Sequence, residues 1–451
     1  MTKGRFILKG KVTLLSPALI GCGMDDRSDI DLLRDHNEKP FIPATSFIGV
    51  LKYIIKPSEN EYKVPLKIFW GFTEGQKGQQ SAISCSNLCC CIENPKTTIR
   101  DGIKIMSQTG TVRKEAKYDY EIIEQGTQFD LCLEIKFNDE DSKKFSQKML
   151  ATICDILENG KIHIGAKTNS GLGKMELSKR EVFEFDFGNK QDVLQWLTKN
   201  TYSRETSLEN IQRLPIKDTE FIINATFLLK NSLIVRSYPS DPLMPDAVHI
   251  QSGDKQVLPG TSLKGAIRSR AERILNTIFD NDTKKSKGVL VKLFGDVDDE
   301  TRSKIAVKGR ICIDEVLLPN FDTELQTRIK IDRFTGGTIE SALFETMPLF
   351  SGADKGKQIK DVRITIRDYK KHEAGLMLLV LKDLWTGDLA IGGEKAVGRG
   401  MFEGVRADIT WDNTTITLED GLTGLSSENK KQLENFVTAL KDFKEEAHGR
   451  S

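Results

Sequence analysis

Apolar residues alternate with polar ones in some segments of this chain and recur at helical spacing in others. The alternating segments predict strands, the clearest being FIINATFLL (221–229), FDLCLEIKF (129–137) and KGRICIDEVLL (308–318). Apolar residues three and four positions apart predict helices at about 143–158 and 426–447. The order strand–helix–strands–helix–strand predicts an α+β fold built on a ferredoxin-like or RNA-recognition-like sheet.

Hydroxyl side chains precede several of the predicted helices. Thr45 or Ser46 stands before one apolar helical repeat, and Thr261 or Ser262 stands before another. Ser427 has the same place before the C-terminal helix. Because Ser and Thr oxygens accept hydrogen bonds from the first free backbone N–H groups of a helix, we predict these residues as N-caps.

The same series of segments occurs twice in the chain. The first and last pairs of matching blocks lie 215 and 227 residues apart, so the spacing drifts little. The blocks follow in the same order in both halves: 5–20 with 220–235, 41–49 with 257–265, 69–72 with 293–296, 103–121 with 329–347, and 164–176 with 391–403. Two unrelated α/β domains with similar openings would not preserve this order. The sequence therefore predicts a tandem duplication of one domain.

The predicted boundaries follow from this repeat. We expect a first domain at 1–190, a polar and helix-prone linker at 191–218, and a second domain at 219–425. A C-terminal helix and tail occupy 426–451.

Composition narrows the class of protein only slightly. Lys and Arg number 66 and Asp and Glu 65, a net charge of +1, which excludes a uniformly basic coat but permits a local basic groove. No stretch is apolar enough to span a membrane and no signal peptide is evident, so we expect a cytoplasmic protein. The cysteine-rich segment Cys85–Cys91 reads either as a metal site or as a buried strand.

A Gly-rich loop ends each copy. Glycine lets a backbone approach a phosphate closely and present its N–H groups, but it serves a tight structural turn equally well. Both interpretations remain open, although the occurrence of two loops at equivalent positions favours phosphate binding. The candidate RNA-binding residues of these loops are Lys167, Gly171, Gly173, Gly392, Gly393, Lys395, Gly398, Arg399 and Gly400.

The predicted helix starts form a second candidate anion site. Backbone N–H groups at a helix N-terminus attract anions, and in the second copy basic side chains accompany them. Thr45 and Ser46 are the candidates in the first copy, and the second copy offers Thr261, Ser262, Lys264 and Arg268. A solvated, non-binding helix face is the alternative.

An acidic loop precedes each of these helices. Counted back from the proline that begins each helix motif, Asp29 lies 14 residues ahead and Asp246 lies 13 ahead. A carboxylate next to an RNA backbone can hold a divalent ion or orient a 2′-hydroxyl for attack. His249, close to Asp246, is a conceivable acid–base residue, but Leu32 replaces it in the first copy and argues against a shared mechanism.

In combination these segments resemble the RAMP superfamily. The elements that carry the resemblance are the acidic loop, the VLPGTSLKGAIRSR helix start, LFGD, IKIDRFTGGT and the loop GGEKAVGRG, which span most of the second copy. This copy is similar to the repeated backbone subunit of type III CRISPR effector complexes. The tandem pair resembles the fused backbone proteins of type III-D-like systems.

The resemblance implies two tandem RAMP domains, each a modified sheet with insertions. A thumb hairpin would displace guide bases and is expected at 329–345, with its counterpart at 103–121. The expected partners are CRISPR RNA, complementary target RNA and other effector subunits, with no membrane. In this family an aspartate after the first strand cleaves target RNA with a divalent metal, expected here to be Mg²⁺. By position that catalytic and metal-binding role falls to Asp29 and Asp246.

The first copy departs from the family pattern. It lacks the Gly and Lys of the helix start and has Met106-Ser107 in place of the Asp-Arg of IKIDRFTGG. Its loop holds several aspartates, so Asp26 and Asp31 are second choices for the catalyst. These departures are also compatible with cleavage by only one of the two copies. Two alternatives to an RNA-guided nuclease remain: a non-catalytic guide-binding backbone, and a free-standing enzyme that processes precursor RNA.

Overall fold

The computed structural model describes most of the chain. The described residues are 2–23, 28–56, 62–75, 77–106, 109–198, 205–216, 219–239, 241–295, 307–352, 357–419 and 425–448. The chain divides into two compact units, Met1–Arg100 with Tyr118–Thr168 and Leu172–Lys217, and Asp101–Lys117 with Asn169–Gly171 and Asp218–Ser451.

The first copy begins with a long strand and contains four helices in its described residues. Its elements are β1 (Gly4–Leu14), β2 (Gly21–Gly23), β3 (Asp31–Leu32), β4 (Phe41–Ile42), α1 (Ala44–Ile54), α2 (Lys63–Trp70), β5 (Phe72–Glu74), β6 (Lys77–Gln79), β7 (Ile83–Cys85), β8 (Leu88–Cys90), β9 (Thr97–Ile105), β10 (Val112–Ile123), β11 (Gln128–Phe137), α3 (Glu140–Glu158), β12 (Ile162–His163), β13 (Lys174–Asp186) and α4 (Lys190–Thr198).

The second copy repeats this order with more short strands. Its elements are β14 (Glu220–Leu229), β15 (Ser232–Leu233), β16 (Arg236–Ser237), β17 (Ala247–His249), β18 (Gln251–Ser252), β19 (Lys255–Leu258), α5 (Gly260–Ile278), α6 (Thr283–Phe294), β20 (Ile311–Ile313), β21 (Val316–Leu317), β22 (Asp322–Thr323), β23 (Gln326–Ile331), β24 (Thr338–Met347), β25 (Leu349–Phe350), β26 (Gln358–Arg367), α7 (Lys371–Thr386), β27 (Phe402–Trp411), β28 (Thr414–Glu419) and α8 (Ser427–His448).

The main sheets of the two copies have the same strand order. In the first copy β1 lies between β11 and β13, and β7 and β8 pair with the outer edge of β11. In the second copy β14 lies between β26 and β27, and β20 pairs with β26. All these pairs are antiparallel, so the predicted α+β architecture is confirmed.

Alternation along the strands explains why one sheet face is buried. In β14 the apolar residues at every second position, beginning with Phe221, are buried, and the residues between them are partly exposed. Helix α3 covers the first sheet with apolar residues that include Met149, Ile153 and Leu157. Each copy therefore has its own apolar core.

The predicted N-caps are wrong in all three helices. Helices α1 and α5 follow Pro43 and Pro259, whose extended backbone ends the preceding segment, and neither helix has a side-chain cap. The carbonyl of Pro43 accepts the N–H of Phe47 at 3.1 Å, so the hydroxyl residues lie inside the first turn. At α8 the cap is Ser426, whose Oγ accepts the N–H of Asn429 at 3.2 Å.

The cysteine-rich segment forms strands. Cys85 lies in β7 and Cys90 in β8, both paired with β11. Burial raises the pKa of the Cys85 thiol to about 12. The segment therefore forms the strands that one of the two interpretations predicts.

Each predicted thumb segment forms an antiparallel hairpin. The first hairpin consists of β9 and β10 and the second of β23 and β24. Asp332 closes the turn of the second hairpin by accepting the N–H groups of Phe334 and Thr335. In the described part of the chain no helix is long and apolar enough to cross a membrane.

Candidate functional site

Asp29 and Asp246 occupy equivalent places in the two copies. The Oδ2 of Asp29 accepts the backbone N–H of Asp119 at 3.0 Å, and the Oδ2 of Asp246 accepts that of Glu345 at 2.8 Å. Asp119 and Glu345 lie 226 residues apart, the same offset that relates the two hairpin segments. The same oxygen atom in each copy thus binds the same point on the second hairpin strand.

The backbone partner of each of these aspartates is itself an acidic residue. In the first copy Asp119 also accepts the N–H of Asp29, at 2.8 Å, so the two residues are held reciprocally. In the second copy Glu345 has the equivalent position, and both Asp29 and Asp246 are exposed. In the first copy Asp29 and Asp119 together offer the oxygen ligands that Mg²⁺ prefers. In the second copy the Glu345 carboxylate accepts from the hydroxyl of Thr327 at 3.4 Å, so Asp246 is the carboxylate available there.

The second choices for the first copy are less suitable or lie outside the described residues. Asp31 is only 5% exposed in β3, and the hydroxyl of Ser28 donates to its Oδ1 at 2.5 Å. This burial gives Asp31 a structural role. Asp26 lies outside the described residues.

His249 holds the loop of the second copy together. It is 3% exposed, its Nδ1 accepts the N–H of Val235, and its Nε2 lies 2.8 Å from the carbonyl of Val257. Burial lowers its pKa to about 4. A neutral, enclosed ring with both nitrogens engaged by backbone does not act as an acid–base catalyst, and Leu32 is equally buried at the equivalent position.

The backbones of the two Gly-rich loops match closely. Gly165 and Gly392 have φ of 87° and 88°, and Gly173 and Gly400 have 78° and 74°. A Cβ on Gly173 would lie 1.9 Å from the carbonyl oxygen of Ile164, and one on Gly400 would lie 1.8 Å from that of Ile391. Glycine is therefore required here by the protein's own backbone.

The N–H groups of these loops point into the fold. Gly173 donates to Pro17 and Gly400 to Ser232, each at 2.7 Å, and Gly393 donates to Ile234 at 2.7 Å. The N–H of Gly398 is bonded within its own turn. These four N–H groups therefore bond to carbonyls of the protein itself, which supports the tight-turn interpretation of Gly173, Gly393, Gly398 and Gly400. Gly171 and Gly392 likewise have positive φ, at 85° and 88°.

In the first copy the loop carries a lysine on two tyrosines. The ammonium of Lys167 lies 4.5 and 4.1 Å from the ring centroids of Tyr118 and Tyr120, and it donates to the hydroxyl of Tyr118. Leu172 packs with Tyr120 in a small apolar cluster nearby. The charge of Lys167 is thus held against hairpin strand β10 rather than extended into solvent.

In the second copy the equivalent position holds an acid. Glu394 has the place of Lys167, and its carboxylate accepts from Arg399 at 2.8 Å, Arg328 at 2.8 Å and Arg236 at 3.0 Å. Burial alone would raise the pKa of Glu394, but the hydrogen bonds from Arg399 and Arg236 and the charge of Arg328 lower it below its usual range.

Arg399 is an internal residue and not a free RNA ligand. It is 3% exposed and donates to Glu394, to the Oγ of Ser232 at 2.8 Å and to the Oε1 of Gln326 on β23. The guanidinium therefore joins the loop to the base of the hairpin. Lys395, next to Glu394, is exposed and remains a candidate for RNA contact.

The first turns of helices α1 and α5 differ in the exposure of their hydroxyl residues. Thr45 and Ser46 are exposed in the first turn of α1, whereas Thr261 and Ser262 are partly buried in that of α5. The N–H of Ala44 is already bonded to the side chain of Asn87 at 2.9 Å. These residues can contact an RNA only through side chains or the other N–H groups of the first turn.

Lys264, Arg268 and Arg270 on α5 are partly buried, and this burial limits how each can bind an anion. Desolvation lowers the pKa of Lys264 to about 8, which an approaching phosphate would reverse. Arg268 donates to the carbonyl of Gly295 at 3.4 Å, and Arg270 forms an ion pair of 2.5 Å with the buried Asp383. Lys264 and Arg268 therefore remain candidates for contact with an anion, whereas Arg270 is engaged by Asp383.

Sequence reasoning did not identify four residues of these sites. Asp119 and Glu345 were detectable, because the alignment of the hairpin segments pairs these two acids. Arg236 and Arg328 were not, since neither has a basic counterpart in the first copy, where Gly21 and Gly102 stand.

Comparison with known proteins identifies one family. A family model described as the RAMP superfamily matches residues 11–176 and 226–403, one match in each copy. No curated protein matches the chain.

Proposed function

This chain belongs to the RAMP superfamily, and from that premise we propose that it is a type III CRISPR effector backbone subunit that cleaves target RNA. Family membership by itself supports a CRISPR-associated RNA-binding subunit, with CRISPR RNA and effector-complex proteins as partners. The proposal adds two cleavage sites, one in each copy. A guide RNA would select the target by base pairing, and the protein would contact mainly backbone.

The observation that carries this proposal is the equivalence of Asp29 and Asp246. Each is exposed, and each accepts one backbone N–H from the second strand of its hairpin. That contact fixes the position of one carboxylate oxygen against the hairpin and so orients the whole carboxylate group. The two loops otherwise differ in sequence, so the retention of this carboxylate in both copies supports a shared task.

The residues of this chain would perform three tasks in cleavage. Asp29, with Asp119 beside it, and Asp246 in the second copy would each hold a divalent ion, which supplies charge stabilisation at the scissile phosphate. The backbone bond to the hairpin would keep the carboxylate oriented while target RNA enters. The basic residues, above all Lys264 and Lys395, would position the RNA backbone.

A non-catalytic backbone subunit is the second candidate function. The observation that favours it is that both aspartates already accept a backbone hydrogen bond, as a purely structural loop residue would. In that case the carboxylates would only anchor the hairpins, and the chain would bind guide RNA without cutting.

Cleavage of a labelled complementary RNA by the reconstituted complex with Mg²⁺ separates these functions. We expect the double variant Asp29→Ala/Asp246→Ala to retain guide RNA and to lose all cuts, because both metal-binding carboxylates are gone. Asp35→Ala and Asp241→Ala are matched controls, since these loop aspartates cap local turns, at Asn37 and Leu243 respectively. Persistent cutting by the double variant would exclude these two residues as the catalysts.

A further inference from the structure

Three arginines from separate segments share one carboxylate in the second copy. Arg236 comes from β16, Arg328 from hairpin strand β23 and Arg399 from the Gly-rich loop. Arg236 bonds Oε1 of Glu394, whereas Arg328 and Arg399 bond Oε2. The two oxygens of one carboxylate thus fix the positions of three guanidinium groups.

This arrangement leaves positive charge in excess. Three guanidinium groups against one carboxylate leave two positive charges, and each guanidinium has five N–H donors in a fixed fork. Arg399 uses its donors internally on Glu394, Ser232 and Gln326. Arg328 also donates to Gln326 at 3.5 Å, and Arg236 has a further side-chain hydrogen bond with Tyr238. The surplus charge and the remaining donors belong to these two arginines.

These two arginines are accessible, unlike Arg399. Their side chains are 39% and 29% exposed, whereas that of Arg399 is 4% exposed. Holding partly desolvated guanidinium groups near one another is unfavourable unless an anion compensates them. The two positive charges that Glu394 does not neutralise therefore lie where an anion can reach them.

The pair lies on the same small sheet as the candidate catalytic residue. Arg328 is opposite Phe344 on β24, next to Glu345, whose N–H donates to Asp246. Arg236 is opposite His249 on β17, the strand that begins directly after Asp246. An anion held by this pair would therefore sit on the sheet that presents Asp246.

We propose that Arg236 and Arg328, oriented by Glu394, form a binding site for a phosphate group of an RNA backbone. The guanidinium fork matches phosphate geometry, and the preformed pairing with Glu394 reduces the entropy lost on binding. The proposal rests on the RNA-binding part of the proposed function and does not require cleavage. It belongs to the second copy alone, because Gly21 and Gly102 replace the arginines in the first.

The salt dependence of RNA binding by the full chain tests this site. The affinity for fluorescein-labelled polyuridine is measured by anisotropy over a series of KCl concentrations. Each phosphate contact on a single strand contributes a slope of about −0.7 in the plot of log K against log salt. Arg236→Gln and Arg328→Gln should each make that slope shallower by about 0.7, and Arg236→Lys, which keeps the charge, should retain it.

Arg406→Gln is the matched control, since Arg406 is half-exposed in the same copy and is paired with Asp408 and Glu419. It removes the same charge and should leave the slope unchanged. The site is refuted if both Gln variants keep the wild-type slope, or if Arg406→Gln lowers it equally. RNA binding with unaltered slopes would overturn this inference alone, whereas a wild-type chain that binds no RNA would overturn the proposed function as well.

Discussion

The Gly-rich loop of the first copy places Lys167 against two tyrosines, whereas that of the second copy places Glu394 among three arginines. The backbone is nevertheless the same, with glycines of equal φ and equivalent hydrogen bonds to the segment after the first strand. The glycine pattern therefore records a requirement of the fold. The side chains between the glycines differ in charge between the copies, and in both copies they attach the loop to its hairpin.

The largest loss of stability should come from disrupting the glycine backbone conformation that both loops share. Gly400→Ala would force a Cβ to within 1.8 Å of the Ile391 carbonyl at a positive φ, so the backbone must move. We expect a loss of about 4 kcal/mol in unfolding free energy, measured as a shift of the urea midpoint.

Gly265→Ala is the control, because a Cβ there meets open space on helix α5. It should be neutral or slightly stabilising. Equal effects of the two substitutions would show that the close approach at Gly400 is not structurally required.

A smaller loss of stability should come from removing the side-chain contacts in which the two loops differ. Glu394→Gln removes the carboxylate that compensates the buried Arg399, and we expect a loss of about 3 kcal/mol. Lys167→Gln in the first copy removes only a partly exposed contact with aromatic rings and should cost less than about 1 kcal/mol. Urea unfolding of both variants measures the difference. Equal losses would contradict the conclusion that Glu394 is the more important residue for stability.

The two copies should also differ in how their stability depends on pH, because only the second has a buried histidine, His249, at this position. This effect should be smaller than the preceding ones. The pKa of His249 is lowered to about 4, so the unfolded chain takes up a proton that the folded chain refuses. Stability is therefore lost as the pH falls below about 6.5, by about 2 kcal/mol between pH 7 and pH 5. His249→Leu, which installs the residue type of Leu32, should flatten this part of the profile. An unchanged profile in the urea midpoint would mean that His249 is not the titrating group.

The sequence predicted the repeated architecture because apolar periodicity and block order depend on local pattern. Strands β11 and β14 and helices α3 and α8 follow their predicted segments closely. The N-caps were wrong because Pro43 and Pro259 take the cap position, and hydroxyl residues in the first turn look the same in sequence.

The candidate site was only partly predictable. The positions of Asp29 and Asp246 followed from counting back from a shared motif, and the structure places them equivalently. The direction of the Gly N–H groups and the burial of Arg399 depend on contacts from β15 and β23, which lie 73 to 167 residues away in sequence. Spacing along the chain carries no information about such contacts.

The central claim is that Asp29 and Asp246 perform the same chemistry at two places on one target RNA. Mapping the cleavage products of the reconstituted complex for Asp29→Ala and Asp246→Ala separately tests it most directly. We expect each variant to lose one distinct product and to keep the other, with guide RNA still bound. Loss of both products in either single variant, or of neither in both, would contradict two equivalent and independent sites.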